Sequence, residues 1–137
     1  MSGVALITGA GRGVGRAVAF ALAQRGLDLA LVGRPSPQHA ETVAELEQLS
    51  GKKPFQVFAD FQDAEALQKA AQSVVTSLGP PSVVVHNAGV VVRARIEETS
   101  IAAWDEQLDV NLRTPFVLTR ALLPSMRAAK LGRFVFI

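Results

Sequence analysis

The stretch from Val4 to Gly15 runs an apolar segment, Val4 to Ile7, into Thr8 and a turn holding Gly9, Gly11, Gly13 and Gly15, with an amphipathic segment behind it. Glycines at such a turn let the backbone double back and approach a ligand with no Cβ in the way. A helix beginning there brings its unpaired N–H groups and the positive end of its dipole to the same point. The chemistry these residues can do is to cradle a pyrophosphate. The expected ligand is a dinucleotide, held by Thr8, Gly9, Gly11, Arg12, Gly13, Val14 and Gly15.

A cradle of this kind needs a strand before it and a helix after it, and the chain supplies that alternation throughout. Short runs rich in Val, Ile and Phe alternate with longer stretches of helical period, which predicts βαβ units and a parallel sheet. Strands are expected over residues 3–7, 28–33, 54–59, 82–86 and 133–137. Val14, Ala17, Val18, Ala21 and Leu22 form the inward stripe of the first helix, with Gly26 at its C-terminal stop. Ser36 and Pro37 read as the N-cap and first residue of a second, whose stripe is Val43, Leu46 and Leu49 and whose stop is Gly51. A third runs from about Asp63 to Leu78 with Leu67, Ala70, Ala71, Val74 and Leu78 inward. A fourth starts at Ser100 and carries Ile101, Trp104, Leu108 and Leu112. Right-handed crossovers put the fourth strand beside the first, on the side opposite the second, with the ligand crevice at the carboxyl ends of strands one and four.

Composition narrows the function classes. The chain has 137 residues, 49% of them hydrophobic and 19% charged, as expected of one globular domain over residues 1–137. With no cysteine and two separated histidines, no disulfide, thiol nucleophile or metal site is expected. The net charge is only +2 and the basic residues are scattered, which argues against nucleic acid. Apolar runs stop well short of the roughly 18 to 20 residues that span a bilayer, and no basic leader precedes one, so a cytoplasmic protein is expected.

The glycine spacing does not fit G-x-G-x-x-G, because Val14 stands where the third glycine would fall. It fits T-G-x-x-x-G-x-G through Thr8, Gly9, Gly13 and Gly15. That pattern resembles the short-chain dehydrogenase/reductase family, and the likeness continues in register along the chain. Asp60, followed by Phe61, is similar to the adenine-contacting Asp of the family; by itself Asp60 reads equally as a capping residue. Asn87-Ala88-Gly89 resembles the N-A-G motif, a cofactor contact or plain turn chemistry, with His86 in place of the commoner preceding Asn. His86 itself reads as a partly buried strand-end histidine. Asn111 matches the family's structural and catalytic Asn. The resemblance implies a Rossmann-like doubly wound α/β sheet and hydride transfer between a nicotinamide cofactor and an alcohol or carbonyl.

NAD and NADP are distinguished at the end of the second strand, where an acid holds a ribose 2′-hydroxyl or an Arg accepts a 2′-phosphate. Here Leu31-Val32-Gly33-Arg34 offers no acid. Arg34, with Arg12 in the glycine turn, can fork onto a phosphate, and NADP is the expected cofactor over NAD. A methyltransferase reading of Gly9-x-Gly11-x-Gly13 is disfavoured, since no acid stands near Ile7 or ends the second strand.

Pro115 interrupts what otherwise reads as one helix from Ser100 to about Ala129. It cannot donate to the carbonyl of Asn111, so the helix either bends around a freed acceptor or breaks near Arg113-Thr114. The resemblance gives that carbonyl a part in holding a water for a catalytic Lys. The family's Ser and Tyr-x-x-x-Lys follow the fifth strand, and this chain, which ends on that strand at Ile137, contains no tyrosine. The expectation is a chain truncated after the fifth strand that binds cofactor without turnover, the alternative being a non-enzymatic nucleotide-binding or regulatory module. An uncovered Phe134 to Ile137 edge, and the family's dimer helix missing, imply a fragment of a longer product or a chain that needs a partner, a homo-oligomer included.

Overall fold

A computed structural model describes residues 3–130 and 132–137. Strands β1 (Val4–Thr8), β2 (Asp28–Gly33), β3 (Phe55–Phe58), β4 (Val83–His86) and β5 (Arg133–Phe136) form one parallel sheet in the order β3-β2-β1-β4-β5. Each lies within one residue of its expected bounds. The winding reverses at β1, whose neighbours are β2 and β4, so the carboxyl ends of β1 and β4 flank a crevice as expected.

Every residue of β1 is buried, because a central parallel strand is covered on both faces. Alternate residues serve two cores. Leu6, Ala30, Val32 and Val84 pack with Leu67, Ala70 and Val74 of helix α3 (Ala64–Leu78) and Leu118, Leu122 and Met126 of helix α5 (Thr114–Ala128). Ala5, Ile7, Leu31 and Val85 pack with Ala19 and Ala23 of helix α1 (Gly13–Gln24) and Val43 and Leu46 of helix α2 (Pro37–Ser50).

The helix signals read from the sequence act as expected at the ends and less so on the faces. Gly26, at φ +81°, follows α1 with its N–H on the Ala23 carbonyl, and Leu27 reaches back to Leu22. The Ser36 hydroxyl accepts the His39 N–H at 3.1 Å, and Asp63 caps α3 by accepting from Glu65 and Ala66. The buried face of α1, however, is Gly15, Ala19 and Ala23, with Val18 and Leu22 half-buried, while Val14, Ala17 and Ala21 face outward. The smallest side chains, four residues apart, let the helix lie close to the sheet, and that contact outweighs side-chain hydrophobicity. On α2, Leu49 is exposed, and His39 and Thr42 complete the inner face instead.

The expected long fourth helix is divided. Helix α4 (Ile101–Leu108) passes into a π-helical turn, Asp109–Arg113, before α5 begins. Pro115 offers no N–H, and the ladder widens ahead of it so that the Thr114 N–H reaches the Asp109 carbonyl five residues back. Ile101, Trp104, Leu108 and Leu112, the apolar residues read at helical spacing on this segment, are 76%, 55%, 40% and 67% exposed. Val135, Phe136 and Ile137 on the β5 edge are exposed as well.

His86 ends β4 deep in the structure. Its Nε2 is 3.0 Å from the Thr119 hydroxyl on α5, and its ring stacks on Phe134 and Phe136 with centroids at 6.1 and 4.9 Å. Burial lowers its pKa from the ordinary 6.5 to about 4, since the charged imidazolium would lose its hydration there. Between these values the unfolded chain binds the proton and the folded chain does not, so stability is full above pH 6.5 and falls as the pH drops toward 4. The expected loss between pH 7.5 and 4.5 is roughly 2 to 3 kcal/mol. Urea midpoints at the two pH values should show it, and His86→Asn should narrow the difference.

Candidate functional site

The glycine turn is held by its neighbour strand. Thr8 ends β1 with its hydroxyl buried, accepting the N–H groups of Asn87 and Ala88 at 3.1 and 3.0 Å. In return the Asn87 amide donates to the carbonyls of Thr8 and Gly9 at 3.2 and 3.0 Å. These four bonds fasten the end of β4 to the turn and settle the backbone path of both. Gly9 adopts φ +69°, and a Cβ on it would stand 2.9 Å from the Ala88 Cα. A Cβ on Gly15 would overlap the Asn87 amide and lie 2.6 Å from the Gly9 carbonyl oxygen. Gly13, at φ +58°, is needed for its conformation alone, since nothing lies within 4 Å of its would-be Cβ.

Two helices begin beside this turn, and they differ in how their first N–H groups are used. Arg12 is the N-cap of α1, in extended conformation, and among the described residues no side chain caps the first turn, which leaves N–H groups at the start of α1, beside Gly13, for an anion. At α2, Pro37 has no N–H and Ser36 already occupies that of His39. The two are tied together where Thr42 donates to the Gly11 carbonyl at 3.2 Å.

Two cavities meet at the turn. One, of about 290 Å³, lies between the turn and the start of α2, lined in part by Gly11, Ser36, Gln38 and His39. The other, of about 340 Å³, runs toward β4 along Gly13, Phe61, Asn87, Ala88, Gly89, Val90 and Val110. Gly9, Arg12, Gly33 and Arg34 line both. Arg34 and Arg12 therefore border the same space, as expected. Arg34 Nη2 also lies 3.5 Å from Asp60 Oδ1, while Arg12 makes no ion pair among the described residues.

Asp60 turns the backbone by accepting the Gln62 N–H at 3.0 Å, and Phe61 is buried with its carbonyl taking the Thr114 hydroxyl at 2.8 Å. Asn111, on the π-helical turn, uses both ends of its amide on one residue: Oδ1 accepts the Val90 N–H at 2.9 Å and Nδ2 donates to the Val90 carbonyl at 2.8 Å. It thereby anchors the segment after Gly89 that walls the larger cavity. Of the residues expected at the site, Gly9, Gly11, Arg12, Gly13, Arg34, Phe61, Asn87, Ala88 and Gly89 line these cavities; Thr8, Gly15, Asp60 and Asn111 lie against that lining, and Val14 is exposed and lines neither.

Sequence reasoning passed over Ser36, Gln38, His39, Val90 and Val110 as lining residues. Ser36 and Pro37 were legible as a helix start only two residues past Arg34, which is the signal that this start shares the cavity. His39 is buried against the Phe58 ring, and burial lowers its pKa, partly opposed by a hydrogen bond that its ring donates to the Gln56 side chain. Among the described residues, no three metal-ligating side chains gather and no helix is long and apolar enough to cross a membrane.

The two glycines of the turn should respond differently to a methyl group. Gly15→Ala meets backbone and a fixed amide and is expected to cost about 2 to 3 kcal/mol, whereas Gly13→Ala bears only left-handed strain of about 1 kcal/mol. Urea unfolding of both variants measures the difference.

Residues 3–137 match the family model for short chain dehydrogenases. The chain is 34% identical over 125 residues to the short-chain dehydrogenase/reductase FrzI of Cladobotryum sp., covering 91% of this chain and 48% of that protein. It is 31% identical over 135 residues to the 3-oxoacyl-(acyl-carrier-protein) reductase FabG of Staphylococcus aureus, covering 98% and 55%. Among solved structures, an alcohol dehydrogenase from the archaeon Thermococcus sibiricus complexed with 5-hydroxy-NADP superposes with a TM-score of 0.89 at 34% identity, over 98% of this chain and 57% of that one. L-sorbose reductase from Gluconobacter frateurii, complexed with NADPH and L-sorbose, gives 0.90 at 29% identity, over 97% and 51%. The chain spans about half the length of these relatives. The parallel sheet, the T-G-x-x-x-G-x-G turn clasped to Asn87 and the match over residues 3–137 together show that the chain belongs to the short-chain dehydrogenase family.

Proposed function

We propose that these residues are the NADP-binding part of a short-chain dehydrogenase/reductase whose reaction is hydride transfer between NADP(H) and an alcohol or carbonyl. One observation carries the reading: the open N-terminus of α1 adjoins a cavity bordered by two arginines, where the end of β2 offers Gly33 and no acid. The residues present fit the cofactor. The N–H groups of Gly13, Val14 and Gly15 suit the pyrophosphate, and Arg12 and Arg34 suit a 2′-phosphate. Phe61, Asn87, Ala88 and Gly89 line the cavity that leads from there toward β4. Two solved relatives are complexed with NADPH or a hydroxylated NADP, which supports the same choice.

Bound NADP(H) supplies the hydride donor or acceptor. This chain's residues orient it: the clasped turn fixes the phosphates, and Asn111 keeps the Val90 segment against the cavity, the part we assign to the family's asparagine. The 137 residues include no tyrosine, so we assign them cofactor binding and expect no turnover of a ketone and aldehyde panel with NADPH.

Fluorescence titration of NADPH against NADH tests the reading. A charge-assisted fork from Arg34 should favour NADPH by about tenfold or more, and Arg34→Asp should abolish that preference. Equal affinity for both cofactors, or an undiminished preference in the variant, would sink it.

A further inference from the structure

The register of the sheet creates a contact that neither strand announces alone. Gly33 of β2 pairs with Phe58 of β3, and the Ala59 N–H then bonds the Gly33 carbonyl at 3.1 Å. Arg34 and Asp60 are the next residues out on the two strands, and they emerge side by side at the cavity mouth with Nη2 3.5 Å from Oδ1. Asp60 is tethered, because the same oxygen takes the Gln62 N–H at 3.0 Å. Arg34 has no such tether among its side-chain bonds, and both side chains are more than half exposed. Asp60 is also the one carboxylate that pairs with either cavity arginine among the described residues.

Resting on the reading of Arg34 as a 2′-phosphate partner, we propose that Asp60 is a built-in competitor for Arg34 and limits how strongly the site prefers 2′-phosphorylated nucleotides. The carboxylate engages the guanidinium when no phosphate is present. A phosphate that arrives must displace it, and then sits near a fixed negative charge. Both effects act against the 2′-phosphate and leave a nucleotide with a free 2′-hydroxyl untouched. Arg34 can turn from one anion to the other because its side chain is exposed and free to rotate, whereas Asp60 stays with its loop.

Adenosine 2′,5′-bisphosphate and 5′-AMP are the probes, titrated calorimetrically into the wild type, D60N, D60S, R34Q and R34Q/D60N. The two nucleotides share adenine and 5′-phosphate, so any contact of Asp60 with the base cancels in the ratio of their dissociation constants. Asn and Ser both keep an acceptor for the Gln62 N–H, which preserves the loop. An exposed pair of this kind predicts that D60N and D60S each raise the preference for the bisphosphate roughly two- to fivefold. In the R34Q background the same change should raise it by less than half as much on a logarithmic scale. A ratio that stays constant or falls in D60N and D60S overturns the proposal, as does a gain of half or more in R34Q/D60N, which would place the effect on the phosphate directly and not through Arg34. A wild type that binds neither probe overturns the cofactor reading, and the role of Asp60 with it. Binding of both with an unmoved ratio overturns the role of Asp60 alone.

Discussion

The bond set between Thr8 and the Asn87-Ala88 backbone is the constraint on which the site depends. A parallel sheet ends raggedly, and its last N–H and carbonyl groups must find partners or stay wet. Here the buried Thr8 hydroxyl takes two N–H groups from the neighbouring strand, and the Asn87 amide returns two bonds to the carbonyls of Thr8 and Gly9. The turn is thereby fixed from below, so its upper surface and the α1 terminus can remain unsatisfied without the loop collapsing. Gly15 follows from the same contact: the amide occupies the space that any side chain there would need.

A second constraint works from the other side of the cleft. Continuation of the β2-β3 ladder past Gly33 determines which residues leave the sheet together, and it sends a cation and an anion out as neighbours. At α2, Ser36 takes the His39 N–H and Pro37 has none to offer; Arg12 and Arg34 are the charged side chains on this cavity. On the proposed function, the labour divides. Backbone dipoles at α1 suit a group common to all dinucleotides, while side chains at β2 suit a group that only some carry.

The third element is the break between α4 and α5. Pro115 removes one donor, the ladder widens to a π-helical turn, and that turn carries both Val110, which lines the larger cavity, and Asn111, which grips Val90. Thr114 at its end reaches across to Phe61, linking the turn to the segment after β3. An irregularity in the helix is thus what brings the two walls of the cavity into contact.

The sequence by itself determined the strands, the helix ends and the glycine turn through local physics, in glycine conformations, capping hydroxyls, continuous apolar runs and apolar recurrence near every four residues, and it determined the sheet order through the handedness of the crossovers. Residues such as Gly26, Ser36, Gly51 and Asp63 act where their chemistry says they should. Only the tertiary structure decided which side chains face which way. Val14, Ala17 and Ala21 turn outward because Gly15, Ala19 and Ala23 let α1 approach the sheet, and the Ile101, Trp104, Leu108 and Leu112 stripe lies open although its period is that of an inward face. The end of β2 has no acid in sequence, yet strand register brings Asp60 beside Arg34 from 26 positions further along the chain. Local preference is encoded residue by residue, whereas proximity across a sheet is a property of the pairing, and it exists only once the strands have met.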